Sequence, residues 1–203
     1  MYAPRHFDES RPGVLHGLIH DHPLGTLVLH GVAGLSADLL PFEIAPATPD
    51  APFGILRAHV ARANPLWQQA GSDVLALFQG PSAYVSPALY EDKPVNGKVV
   101  PTWNYAVVQA HGKLRAIEDP AWILEFISGL TARHESTRSA PWSVADAPPG
   151  YIDKLLGAIV GIEIPLTRIE GKWKMSQNRS ATDRATIEAQ VPAIAGTMAA
   201  LRA

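Results

Sequence analysis

The sequence contains no cysteine. Disulfides, thiol catalysis and thiolate metal sites are therefore excluded. It has no surplus of positive charge either: 17 Lys and Arg stand against 19 Asp and Glu, for a formal net charge of -2. A protein that grips nucleic acid by neutralising phosphates usually carries a basic excess, so DNA is supported here only if a local patch exists. No apolar run approaches the roughly 20 residues that span a bilayer. The opening, MYAPRHFDES, lacks the basic-then-apolar order of a signal peptide. These absences lead to the expectation of a soluble, cytoplasmic protein with no membrane partner. Neither GxGxxG nor GxxxxGK[ST] occurs, which removes the two common glycine-rich nucleotide loops. There is no GxSxG elbow, and Ser86 in AYVSPAL has no evident base, so a serine hydrolase is not expected.

What is present is ordinary globular usage, 47% hydrophobic and 18% charged over 203 residues, enough to bury one core. A single domain over residues 1–203, closed by a C-terminal helix, is expected. Residues 8–22 read as a short helix, with Leu15, Leu18, Ile19 and His22 at helical spacing and Pro23 as its stop. Strand-like runs follow at 25–31 and 34–45, a hairpin around 32–34, then at 53–60 and 73–80. Residues 61–70 suggest a short helical connection, and 81–101 look irregular. Residues 103–118 read as one long strand or two, with Gly112 permitting a bend. Asp119 and Pro120 form an N-cap and N1 pair for a helix that carries Ile123, Phe126, Ile127 and Leu130 on one face. Residues 151–156 look helical. In 158–171 the alternation puts Ile162, Ile164 and Leu166 inward and Glu163, Pro165 and Thr167 outward, with Gly171 as a turn into KWKMSQN. Residues 181–201 read as one helix. Many short strands with few helices indicate a β-barrel or sandwich.

Three segments combine residue types that suit a phosphorylated, flat ligand. HVARANPLW (59–67) sets His59, Arg62 and Asn64 at a strand-to-helix junction, where free backbone N–H groups and a guanidinium suit an anion. Taken alone, the same residues cap and solvate a helix start. VVPTWNYAVVQAHG (99–112) joins Trp103, Asn104 and Tyr105 to an apolar strand, as a heteroaromatic ring requires. They equally read as core aromatics with satisfied polar tips. RIEGKWKMSQNR (168–179) carries Arg168, Lys172, Lys174 and Arg179. Its period of two puts Lys172, Lys174 and Ser176 on one face and Trp173, Met175 and Gln177 on the other. That basic face suits a flavin or nucleic-acid phosphate, or is a solvated hairpin. His16 and His20 stand at i, i+4 without a third ligand, and His134 and Glu135 are isolated, so no metal is expected.

FQGPSAYVSPALY (78–90), VPTWNY (100–105), HVARANP (59–65) and GKWKMSQNRS (171–180), with the opening MYAPRHF, resemble the PaiB-type FMN-binding regulators. That family is named for negative transcriptional regulation of protease synthesis and sporulation. The resemblance runs from Met1 to about Arg184, with the motifs in the family's order. It implies an α+β, mainly β fold, an FMN-binding split β-barrel with peripheral helices, of the kind shared by pyridoxamine-phosphate oxidases and flavin reductases. It also implies FMN at a two-fold homodimer interface, bound by residues of both subunits. His59, Arg62 and Asn64 become phosphate or ribityl candidates. Trp103 and Asn104 are carried over near the isoalloxazine, and Lys174, Ser176 and Gln177 to the closing basic strand. One departure stands out: many relatives resemble ATHLP on the second strand, and this chain reads SADLLPF (36–42), with Asp38 where the family has a histidine.

A negative regulator is the first functional reading implied by the resemblance. No helix-turn-helix is legible, because the helix after Asp119 runs into a proline-rich loop and not a tight turn. A flavin-dependent oxidoreductase or haem-degrading enzyme, with His59 and His111 as candidate groups, is the second reading and rests on fold analogy. A flavin-free binding module, motivated by Asp38, is the third.

Overall fold

The structure, a computed structural model, describes residues 1–31 and 34–201. Among them the chain forms β1 (Asp8–Glu9), α1 (Pro12–Asp21), β2 (Leu24–Gly31), β3 (Gly34–Pro41), β4 (Glu43–Ala45), β5 (Ile55–Ala61) and β6 (Asp73–Val85). Then follow α2 (Asp92–Val95), β7 (Thr102–Lys113), β8 (Arg115–Ile117), α3 (Pro120–Glu135), α4 (Tyr151–Leu156), β9 (Ile159–Lys174), α5 (Ala181–Gln190) and α6 (Pro192–Ala200). The sheet runs β3-β2-β6-β7-β9-β5-β4, with β1 and β8 each also pairing β9. The fold is α+β and mainly β, as expected.

The chain divides into two compact units. One comprises Met1–His22, Leu77–Gln109 and the chain from Ile169; the other comprises Pro23–Ala76 and Ala110–Arg168.

In the second unit, β2 and β3 pair antiparallel from Leu24↔Pro41 to Gly31↔Gly34. The expected hairpin is present, although Val32 and Ala33 of its turn lie outside the described residues. The expected 34–45 strand is two strands, broken at Phe42, whose side chain is fully buried. β5 pairs β9 from Ile55↔Pro165 to Ala61↔Ile159. Leu56, Ala58 and Val60 turn inward to meet Ile162, Ile164 and Leu166, all buried as the alternation required. Each of these leucine, isoleucine and valine side chains contributes about 1.5–3 kcal/mol when fully buried. Pro165, expected to face outward, is buried. Asp119 caps α3 by accepting from Ala121 N at 3.0 Å. Trp122 of α3 presses on β9 at Gly161, where a Cβ would come within 2.3 Å of the indole ring.

In the first unit, β1 pairs β9 with Asp8↔Lys172 and Glu9↔Gly171. The helix therefore begins at Pro12, not at residue 8, because residues 8 and 9 are taken into the sheet. Gly171 is not a turn. β9 continues through it to Lys174, and the glycine is required by close approach: a Cβ would stand 2.3 Å from Leu15 Cδ2 and 2.8 Å from Glu9 O. β6 likewise continues past Gly80 to Val85, so 81–85 is strand and not irregular chain. The C-terminal helix is two helices. Pro192 has no N–H to continue α5 and instead occupies the first turn of α6.

Candidate functional site

The sequence-derived candidates fall into two sets, one in each unit. In the second unit, the pleat of β5 turns Leu56, Ala58 and Val60 into the core and leaves Arg57 and His59 on the opposite face. The His59 ring meets Phe126 of α3 edge-on at 6.0 Å. Its Nδ1 is buried and has no partner among the described residues. Burial pushes its pKa below the ordinary histidine value. Arg62 donates from Nε to Gly157 O at 2.8 Å, from Nη1 to Glu118 at 2.6 Å and from Nη2 to Ile159 O at 3.3 Å. Its guanidinium also lies over the Trp67 ring.

Asn64 caps the short 3-10 helix Pro65–Gln69, its Oδ1 accepting from Leu66 N at 2.9 Å. Its Nδ2 donates to Asp38 Oδ1 at 2.7 Å. The residue that departs from the family pattern thus binds a residue the family pattern singles out. Both line a groove of about 590 Å³, walled by Leu29, Leu35 and Leu66 with Ser36 at its side. The lining contains no Lys or Arg among the described residues.

In the first unit, β7 and the end of β9 bring the other five candidates together. Asn104 and Ser176 are both buried, and Asn104 Nδ2 donates to Ser176 Oγ at 2.9 Å. Ser176 has φ 61°, the left-handed region that non-glycine residues rarely adopt. That backbone breaks the period of two. Lys172 and Lys174 face away from Trp173 and Met175, as expected, but Ser176 turns inward and not outward with the lysines. Gln177 closes the end of β9, accepting from Met175 N at 2.7 Å and donating to Trp173 O.

Lys174 donates to Trp103 O at 2.7 Å and to Thr102 Oγ1. Lys172 donates to Tyr2 O at 3.0 Å and lies over the rings of Tyr2 and Tyr105. Arg179 lies 4.3 Å from the centroid of Tyr90. Among the described residues, no carboxylate pairs with any of these three cations. Burial lowers the Lys174 pKa below the ordinary lysine value, Lys172 and Arg179 lower it further, and Tyr105 opposes them. Beside this cluster Trp103 is 57% exposed and Tyr84 51% exposed, their rings edge-to-face at 6.2 Å. Sequence reasoning missed Tyr84, which it left in an irregular segment; the alternation of PSAYV into Val85 was the available signal. Among the described residues no three His, Asp or Glu side chains gather as a metal site.

A family model described as "Putative FMN-binding domain" matches residues 1–168. An uncharacterised protein of Emericella nidulans is 37% identical over 219 residues, covering 91% of this chain and 87% of that one. Protease synthase and sporulation protein PAI 2 of Bacillus subtilis is 30% identical over 185 residues, covering 90% and 85%. Among solved structures, the FAD and haem binding protein from Mycobacterium smegmatis superposes with a TM-score of 0.62 at 16% identity, over 88% of this chain and 78% of that one. The flavocytochrome Anf3 from Azotobacter vinelandii gives 0.59 at 14% identity, over 91% and 78%. At such identities these structures establish the fold alone, the split β-barrel. No helix among the described residues is long and apolar enough to cross a membrane.

Proposed function

The chain belongs to the family of FMN-binding domains that matches it over most of its length, and from that premise we propose that it is a homodimeric, FMN-dependent negative regulator of transcription. The observation that carries the cofactor assignment is the uncompensated cation cluster of the first unit. FMN is a phosphate dianion joined to a flat, amphipathic ring. Among the described residues, Lys174, Lys172 and Arg179 offer positive charge with no carboxylate to compete for it, and Trp103 and Tyr84 offer exposed aromatic surface beside it. An arriving anion relieves the mutual repulsion of the three cations and restores the depressed Lys174 pKa. Asn104 and Ser176 fix the backbone that presents Lys174, and Gln177 ties off the strand end. Bound FMN supplies a reversible redox centre that the side chains lack.

In the second unit, His59, Arg62 and Asn64 shape the strand-to-turn junction, and Asn64 holds Asp38 at the side of the groove. Homodimer formation is supported by the terminal strand β3, where Leu35 is 75% and Leu39 64% exposed. An unpaired strand edge with an apolar face invites a partner. The regulatory role is supported by the relationship to PAI 2.

Absorption spectra of the purified protein, taken before and after FMN incubation and desalting, test the cofactor. Retained flavin bands are expected, and a protein that stays colourless overturns the assignment. Sedimentation then tests the dimer, and anisotropy with promoter DNA at several salt concentrations tests the regulator. Specific binding that weakens steeply with salt is expected for phosphate contact.

A further inference from the structure

The groove of the second unit holds a hydrogen-bonding arrangement that the phosphate chemistry does not use. Leu66 N can only donate, so the Asn64 atom facing it is Oδ1, and the atom facing Asp38 is Nδ2. Asn64 Nδ2 keeps a second N–H, and Asp38 Oδ2 keeps its lone pairs, with no partner for either among the described residues. An acceptor and a donor therefore stand side by side in a groove walled by Leu29, Leu35 and Leu66. Asp38 is half-buried and lines this groove beside Asn64. The absence of lysine and arginine from the lining disfavours an anion.

We propose that Asp38 and Asn64 form a recognition edge for a planar ring bearing an imide, in which the ring N–H donates to Asp38 and an adjacent carbonyl accepts from Asn64. A simple ammonium would satisfy Asp38 and leave the Asn64 N–H idle, whereas an imide edge satisfies both. The apolar walls suit the faces of the ring. The inference deepens the flavin reading and rests on it for the ligand class: the pyrimidine end of an isoalloxazine is such an imide, and so is a separate ring ligand of the same chemistry.

The test titrates the full-length protein with lumiflavin, which has the imide and no phosphate, and with 3-methyllumiflavin, in which the N–H is replaced, following quenching of flavin fluorescence. Loss of a hydrogen bond to a charged acceptor predicts at least about tenfold weaker binding of the methylated compound. Asp38→Asn keeps the shape and turns an amide N–H toward the ligand, so the preference for lumiflavin is expected to disappear while the melting temperature holds. Equal binding of the two compounds to the unaltered protein, or an unchanged preference in Asp38→Asn, overturns the inference. Displacement of lumiflavin by FMN identifies the imide as the cofactor's own; uptake of lumiflavin by FMN-loaded protein identifies a second ring ligand. Retention of FMN with no discrimination between the analogues sinks this inference and leaves the cofactor assignment standing. Discrimination without FMN retention does the reverse.

Discussion

Two sets of basic side chains, one in each unit, meet different fates. In the second unit Arg57 pairs with Glu163 at 2.9 Å, Arg62 with Glu118 at 2.6 Å, Arg133 with Glu43 at 3.4 Å and Lys113 with Asp73 at 2.9 Å. In the first unit Lys172, Lys174 and Arg179 rest on aromatic rings and uncharged oxygens. The charges are of the same kind, and their partners decide what they do. A guanidinium held by a carboxylate and two carbonyls is committed to the fold. An ammonium crowded by other cations gains most when an external anion arrives. Motif matching alone gives Arg62 and Lys174 equal standing as phosphate ligands; their surroundings do not.

The largest effect that sharpens this contrast is expected from Lys174→Ala. FMN affinity should fall on the order of tenfold to a hundredfold, the worth of a charge-assisted hydrogen bond, with the melting temperature little changed. Fluorescence titration beside thermal unfolding checks both halves. Arg62→Ala should reverse the pattern. It loses two backbone carbonyl partners and an ion pair, and stability should drop by roughly 1–2 kcal/mol, with FMN affinity changed less than in Lys174→Ala. A larger loss of FMN in Arg62→Ala would break the comparison outright.

A smaller effect is expected from alkaline pH. The unfolded chain holds the Lys174 proton more tightly than the folded one, because its folded pKa is depressed. Stability of the flavin-free protein should therefore rise with pH between the folded and the unfolded values. FMN affinity should fall over the same window, as the ammonium is lost. Lys174→Arg keeps its charge there, and a pH titration of FMN binding should show the loss abolished. The smallest effect belongs to His59. Its folded pKa is also depressed, by burial, so the unfolded chain takes up the proton first as pH falls. Stability should drop as pH goes below the ordinary histidine value, and His59→Gln should flatten that part of the unfolding profile. An unchanged profile would show that the ring is not the titrating group.

Much of the fold was legible because it follows from short-range pattern. The alternation of Ile162, Ile164 and Leu166 and the Asp119–Pro120 start of α3 are local signals, and each appears where the sequence places it. The misreadings share one cause, which is that their reasons lie far along the chain. Gly171 looks like a turn until Leu15 and the backbone of Glu9 are seen against it. Ser176 belongs with the lysines by period, and only its left-handed backbone and bond to Asn104 turn it inward. The site was legible as residue types and as a resemblance. Which cations are already partnered, and that Asp38 and Asn64 touch, are facts of packing that no local spacing encodes. The split of the C-terminal helix at Pro192 is the exception, a local signal that was there to be read.

The pairing of β1 with the far end of β9 bears on how the polypeptide is made. Asp8 and Glu9 emerge from the ribosome long before Lys172 and Gly171, their partners. The nascent first unit thus waits with that strand unsatisfied while the residues between are translated. Contacts this distant in sequence are slow to form and leave edges unprotected meanwhile. A chain truncated before residue 171 would never complete that pairing, so early termination should yield material prone to chaperone capture or clumping, not a smaller working protein.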